Sequence, residues 1–264
     1  MADQERRWTT AITEVKPNEI RLRGYRIDEL MGQLTFAQAI YLTLTGSLPT
    51  PEVGRLLDAM LVSSIDHGPI TPSTLAARTA ASTGAPLNGA IAAGLLSINR
   101  YHGGAIEDCM RLLLGVIADA GPDDSALAQA ASRVVDDYRA AQRRLPGFGH
   151  RVHTTDPRTA RLFELARAAG IVGQGVRSST FLARALEAQT GRALPVNVDG
   201  AIAAILVDLG LPPELGNAFF MMARMPGLVA QVFEEHARER PMRTIDPHAA
   251  EYDGPSPRSL PDRE

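Results

Sequence analysis

Apolar residues recur at helical spacing along almost the whole of this chain, and glycine or proline interrupts the pattern at short intervals. Residues 27–31, 36–44 and 53–65 read as three successive amphipathic helices, separated by Gly32 and by the stretch 46–51. Thr71 or Ser73 can cap a fourth, running to about Ser82. Residues 85–99, rich in alanine and glycine, read as a buried helix in close contact with its neighbours, delivering Tyr101 and His102 to its C-terminal end. Further helices follow at 106–120, 125–143, 159–169, 178–190 and 200–209, and a long apolar one at 214–237 with Pro226 as a kink. Strand-like alternation is confined to 8–15 and 19–26. With aromatic residues at only 5% and alanine abundant, the expectation is an all-α protein.

A chain of 264 residues, 45% of them hydrophobic, can bury a large core as one domain or two. Its net charge of -3 gives no field for a nucleic-acid partner. No apolar run reaches membrane-spanning length, and the charged stretch 1–8 is unlike a signal peptide, so a cytoplasmic, membrane-free protein is expected. Cys109, the single cysteine, reads as a small buried apolar residue. No histidine pair has zinc-site spacing, so no metal is expected. From Arg238 the sequence turns polar and proline-rich, so the last dozen residues read as a loose tail.

Chemistry concentrates at four turns. Leu145, Pro146, Gly147, Phe148 and Gly149 form a turn whose amides can approach a ligand, with His150, Arg151 and, after Asp156 and Pro157, Arg158 close behind. That combination suits an anion. Glycine also flanks His67 and His102, and Asp199 stands in Asn197, Val198, Asp199, Gly200. Each has a plain alternative: His67 as a turn residue, His102 as a helix C-cap, Asp199 as the N-cap of the 200–209 helix. Arg224 is harder to dismiss, because an arginine on an apolar helix needs a partner or a cavity. His153, His236 and His248 read as surface residues.

The ordered motifs Tyr101-His102-Gly103-Gly104-Ala105, 147–158 and 196–200, with Arg23-Gly24-Tyr25 and Glu239-Arg240-Pro241 at the flanks, resemble the citrate synthase superfamily from about Trp8 to Tyr252. The resemblance implies a two-domain helical fold: residues 1–105 and 219–264 as a large domain, 106–218 as a small one. It implies catalysis by His102, His150 and Asp199, with His67, Arg158, Arg224 and Arg240 binding the substrate's oxygens and carboxylates. The turn of Leu145, Pro146, Gly147, Phe148 and Gly149 would read coenzyme A. Arg240 would reach across from a partner subunit, so a homodimer or a higher oligomer is implied. A coenzyme A thioester would be the substrate, with no bound cofactor.

Within that superfamily, Asp66-His67-Gly68-Pro69 and the 197–202 segment are more similar to citryl-CoA lyases, including the lyase module of ATP-citrate lyase. Synthases usually carry an aromatic residue at the place of Gly200 and a histidine at that of Ser64. The short chain points the same way, whereas His102 is a synthase-like feature. The reading is therefore cleavage of citryl-CoA to acetyl-CoA and oxaloacetate. The alternatives are a citrate or methylcitrate synthase condensing an acyl-CoA with oxaloacetate, and a ligand-binding homologue without turnover.

Overall fold

The computed structural model describes residues 8–149, 156–243 and 251–259. It is built from helices, with one small antiparallel sheet in the order β1 (Thr13–Lys16), β2 (Glu19–Leu22), β3 (Tyr25–Arg26). The sequence pattern anticipates one strand over 19–26. Instead the chain turns at Arg23 and Gly24, and β3 folds back on β2 with Leu22 opposite Tyr25.

The first helices are α1 (Ile27–Leu30), α2 (Phe36–Thr45), α3 (Pro51–Ser63), α4 (Pro72–Ser82) and α5 (Leu87–Leu96). Then come α6 (Ala105–Ala120), α7 (Asp124–Ala140), α8 (Pro157–Ala168), α9 (Gln174–Thr190), α10 (Val198–Asp208) and, after a 3-10 turn at Pro213–Leu215, α11 (Gly216–Arg238). Local signals fix the starts. Thr35 and Gln38 form a reciprocal capping box on α2, and Thr50 caps α3 ahead of a proline at the first helical position. Thr71 precedes α4 without capping it, since its hydroxyl bonds Thr74 Oγ1 at 3.0 Å instead.

α6, α7, α9 and α10 pack on one another around Leu113, Leu127, Leu182 and the nearly all-buried α10. A second cluster joins α4 and α5 to α11 through Ala77, Ala90, Leu228 and Val232. There α5 departs from expectation. Only Ala90 and Gly94 of it are buried, and Leu87 and Leu96 face outward. α11 runs unbroken through Pro226 and exposes Met221, Met225, Val229 and Phe233, one at every fourth position.

A buried ion pair ties α4 to α11: Arg78 Nε donates to Glu235 at 2.6 Å, and Arg243 donates to the same carboxylate at 2.9 Å. Met242 N donates to Ser82 O at 2.7 Å, so the chain just beyond α11 is tied back to α4. Among the described residues no helix is long and apolar enough to cross a membrane.

Candidate active site

His102 follows α5 in a tight turn closed by mutual backbone bonds of 2.9 Å between its own peptide and that of Asn99. It is therefore not a helix cap. Its Nε2 sits at the N-terminus of α4, 2.8 Å from Ser73 Oγ and 3.4 Å from the Ser73 amide. An amide can only donate, so Nε2 accepts and the proton of the neutral ring resides on Nδ1. Burial, the charge of Arg224 and His67 all lower the His102 pKa, which favours that neutral form. The ring meets the edge of Phe220 at a centroid distance of 5.6 Å, and Arg224 lies over the Phe220 face at 4.9 Å.

Arg224 and Arg158 are both anchored on the C-terminal end of α3. Arg224 Nε donates to Ser64 O at 3.0 Å, and Arg158 Nη1 reaches Ser63 O at 3.4 Å. Orphan carbonyls of a last helical turn attract cations. Arg158 also forms a two-pronged bond with Asp156, at 3.0 and 2.9 Å. Sequence reasoning gave Asp156 no role, yet it caps α8 and accepts from Val198 N at the start of α10. The Asp-Pro pair ahead of a helical run is the signal that could have found it. Burial alone would raise its pKa, but the bonds from Arg158 outweigh burial and hold the carboxyl below its usual value.

Asp199 is not the cap of α10. Asn197 is, through its side-chain oxygen on Gly200 N at 3.1 Å, and Asp199 falls inside the first turn with its carboxyl free of that duty. Burial pushes its pKa up to about 6, against the pull of Arg158 and Arg224 and with help from Asp156. At pH 7 roughly one molecule in ten would hold the proton, so the group can act as acid or base near neutrality.

The segment holding Asn197 is stitched to the 145–149 turn. Gly149 N donates to Pro195 O, Asn197 N to Gly147 O, and Asn197 Nδ2 to Gly149 O, all within 3.0 Å. Gly147 has φ of 83°, and a Cβ there would come within 2.7 Å of Cys109 Sγ. A Cβ on Gly200 would strike the Gly147 carbonyl. No side chain fits between turn and helix, which accounts for glycine at both places. A cleft of about 790 Å³ runs from Asp199 past Gly147 and Phe148 to Arg100, Arg111, Arg143 and Arg144.

Five of the expected residues thus belong to one connected arrangement: His102, Asp199, Arg158, Arg224 and the exposed His67, whose turn Gln231 holds through Asp66 at 3.2 Å. His150, like His153 and His248, lies outside the described residues. Arg240 is exposed beyond α11, and among the described residues it makes no hydrogen bond or ion pair with this group. Ser73, which orients His102, was seen only as a possible cap. A neutral donor, a titratable carboxyl, two anchored guanidinium groups and an arginine-rich cleft are suited to proton transfer on a polyanionic substrate.

Comparison with known proteins fits this geometry. The family described as citrate synthase, C-terminal domain, matches residues 43–245. Citrate/2-methylcitrate synthase of Bacillus subtilis is 32% identical over 80% of this chain, and the chain spans about half the length of the curated relatives it matches, 55% in that case. Citryl-CoA lyase from Hydrogenobacter thermophilus superposes with a TM-score of 0.88 at 43% identity, over 97% of this chain and 98% of that one. ATP citrate lyase from Methanothrix soehngenii, in complex with citrate and coenzyme A, shares the fold at 20% identity and a TM-score of 0.84, with 97% of this chain laid on 43% of that one. By its family match and by the fold that carries these residues, the chain belongs to the citrate synthase family.

Proposed function

We propose that this protein is a citryl-CoA lyase, cleaving citryl-CoA to acetyl-CoA and oxaloacetate. The observation that carries the reading is the likeness to the Hydrogenobacter thermophilus enzyme over nearly the full length of both chains, set against half-length matches to synthases. In the cleavage, a base near His150 takes the proton of the tertiary hydroxyl, whose oxygen becomes the keto oxygen of oxaloacetate as the carbon-carbon bond breaks. The bonding electrons pass to the thioester as an enolate. Nδ1–H of His102 stabilises the enolate oxygen, and the protonated carboxyl of Asp199 delivers its proton to the carbon. His67, Arg158 and Arg224 hold the carboxylates and keto oxygen. The 145–149 turn and the arginines of the cleft take coenzyme A, whose phosphates match guanidinium forks.

The functional unit in this reading is a homodimer. Its support is the exposed apolar stripe of Met221, Met225, Val229 and Phe233 on α11, together with the outward leucines of α5, since such exposed apolar side chains at helical spacing call for cover. Arg240, just beyond that stripe and fixed through Met242 and Arg243, would complete the partner's site. The small domain of residues 106–218 is part of the same proposal. The separating experiment is thiol release from acetyl-CoA plus oxaloacetate. A lyase releases little free coenzyme A there, whereas rapid formation of free citrate would favour a synthase.

A further inference from the structure

We propose that Ser64 is a substrate-binding residue: its hydroxyl and Nη1 of Arg224 form a two-donor subsite for one carboxylate of the oxo-dicarboxylate half of the substrate. The identity of that acid rests on the lyase reading, while the subsite itself rests on unpaired polar atoms. Ser64 is 2% exposed and Arg224 3%. Among the described residues four buried side-chain polar atoms lack a hydrogen-bond partner, and two of them are Ser64 Oγ and Arg224 Nη1. These two residues are already joined by the 3.0 Å bond from Arg224 Nε to Ser64 O. Buried donors without acceptors are costly and rare, so two on adjoining residues mark a place that a ligand fills.

The chemistry of the surroundings selects an anion. Both helix-end carbonyls that could have satisfied the donors are engaged, Ser63 O by Arg158 and Ser64 O by Arg224 Nε. One face of the Arg224 guanidinium is covered by Phe220. Asp66 and Asp199 act on Arg224 through charge, yet among the described residues neither bonds to it. What fits between a hydroxyl and a guanidinium flanked by a second guanidinium is a carboxylate oxygen, which accepts from both at once. Ser64 thereby helps to set which acid the site accepts.

The test is calorimetry on the full chain with oxaloacetate and, separately, coenzyme A. Ser64→Ala should weaken oxaloacetate by about tenfold or more and leave coenzyme A unchanged. Should the alanine variant fold poorly, Ser64→Thr and Ser64→Val have similar volume and differ in the hydroxyl, so the loss should appear in the valine variant alone. Oxaloacetate affinity within about twofold of wild type in Ser64→Ala, or equal loss of both ligands, overturns the inference. So does a wild-type protein that binds no oxaloacetate. A protein that binds oxaloacetate through Ser64 but does not cleave citryl-CoA would refute the lyase reading and leave this subsite standing.

Discussion

Nε2 of His102 is held 2.8 Å from Oγ of Ser73, the second residue of α4, so the start of one helix sets the proton position on a ring that belongs to a distant turn. With Nε2 occupied as an acceptor, Nδ1–H is the donor available to an enolate oxygen. Ser73→Ala keeps the amide and loses the hydroxyl. Steady-state kinetics should show kcat reduced about tenfold with KM for citryl-CoA nearly unchanged, since the interaction strengthens only as charge develops.

Asp199 makes stability depend on pH. Its folded pKa of about 6 lies above the unfolded carboxylate value of roughly 3.9, so between those values the native state keeps a proton the unfolded chain has lost. Its contribution is fully present below the lower value and is lost as pH rises through about 6. Urea denaturation at several pH values checks this. Asp199→Asn should be more stable than wild type by about 1 to 3 kcal/mol at pH 7.5, with the gap closing toward pH 4.

Gly200 separates α10 from the 145–149 turn at a distance no side chain tolerates. Gly200→Ala should cost about 1 to 3 kcal/mol of unfolding free energy through overpacking. The same change should weaken coenzyme A more than oxaloacetate, because it displaces the turn before it reaches α3. Chemical denaturation and calorimetry on one preparation measure both.

The helices were legible because glycine and proline punctuate their ends. Starts and stops agree within a few residues from α2 to α11 wherever caps or prolines stand, as at Thr35 and Thr50. The break at Arg23 and Gly24 was missed because alternation continues across it. The start of α10 was read two residues late because Asn197 and Asp199 are both good caps, and only the bond to Gly200 N decides between them. Leu87 and Leu96 were read as buried because period and composition report apolarity, not which neighbour covers it. The roles of Ser73, Asp156 and Ser64 depend on contacts between residues 29 to 160 positions apart, which no local pattern encodes.

Shared sites predict complementation. If Arg240 serves the neighbouring subunit, Asp199→Asn and Arg240→Ala should each be inactive alone. Their mixed dimers restore one intact site of two, so random reassembly should recover about a quarter of wild-type activity. No recovery from mixtures that gel filtration shows to be exchanged would place Arg240 in its own chain's site or outside the chemistry.

The most direct measurement is product analysis after purified protein meets citryl-CoA. A citryl-CoA lyase yields acetyl-CoA and oxaloacetate in equal amounts, with Asp199→Asn slower by orders of magnitude while still folded. Citrate and free coenzyme A as the main products, or an Asp199→Asn rate equal to wild type, would contradict this reading.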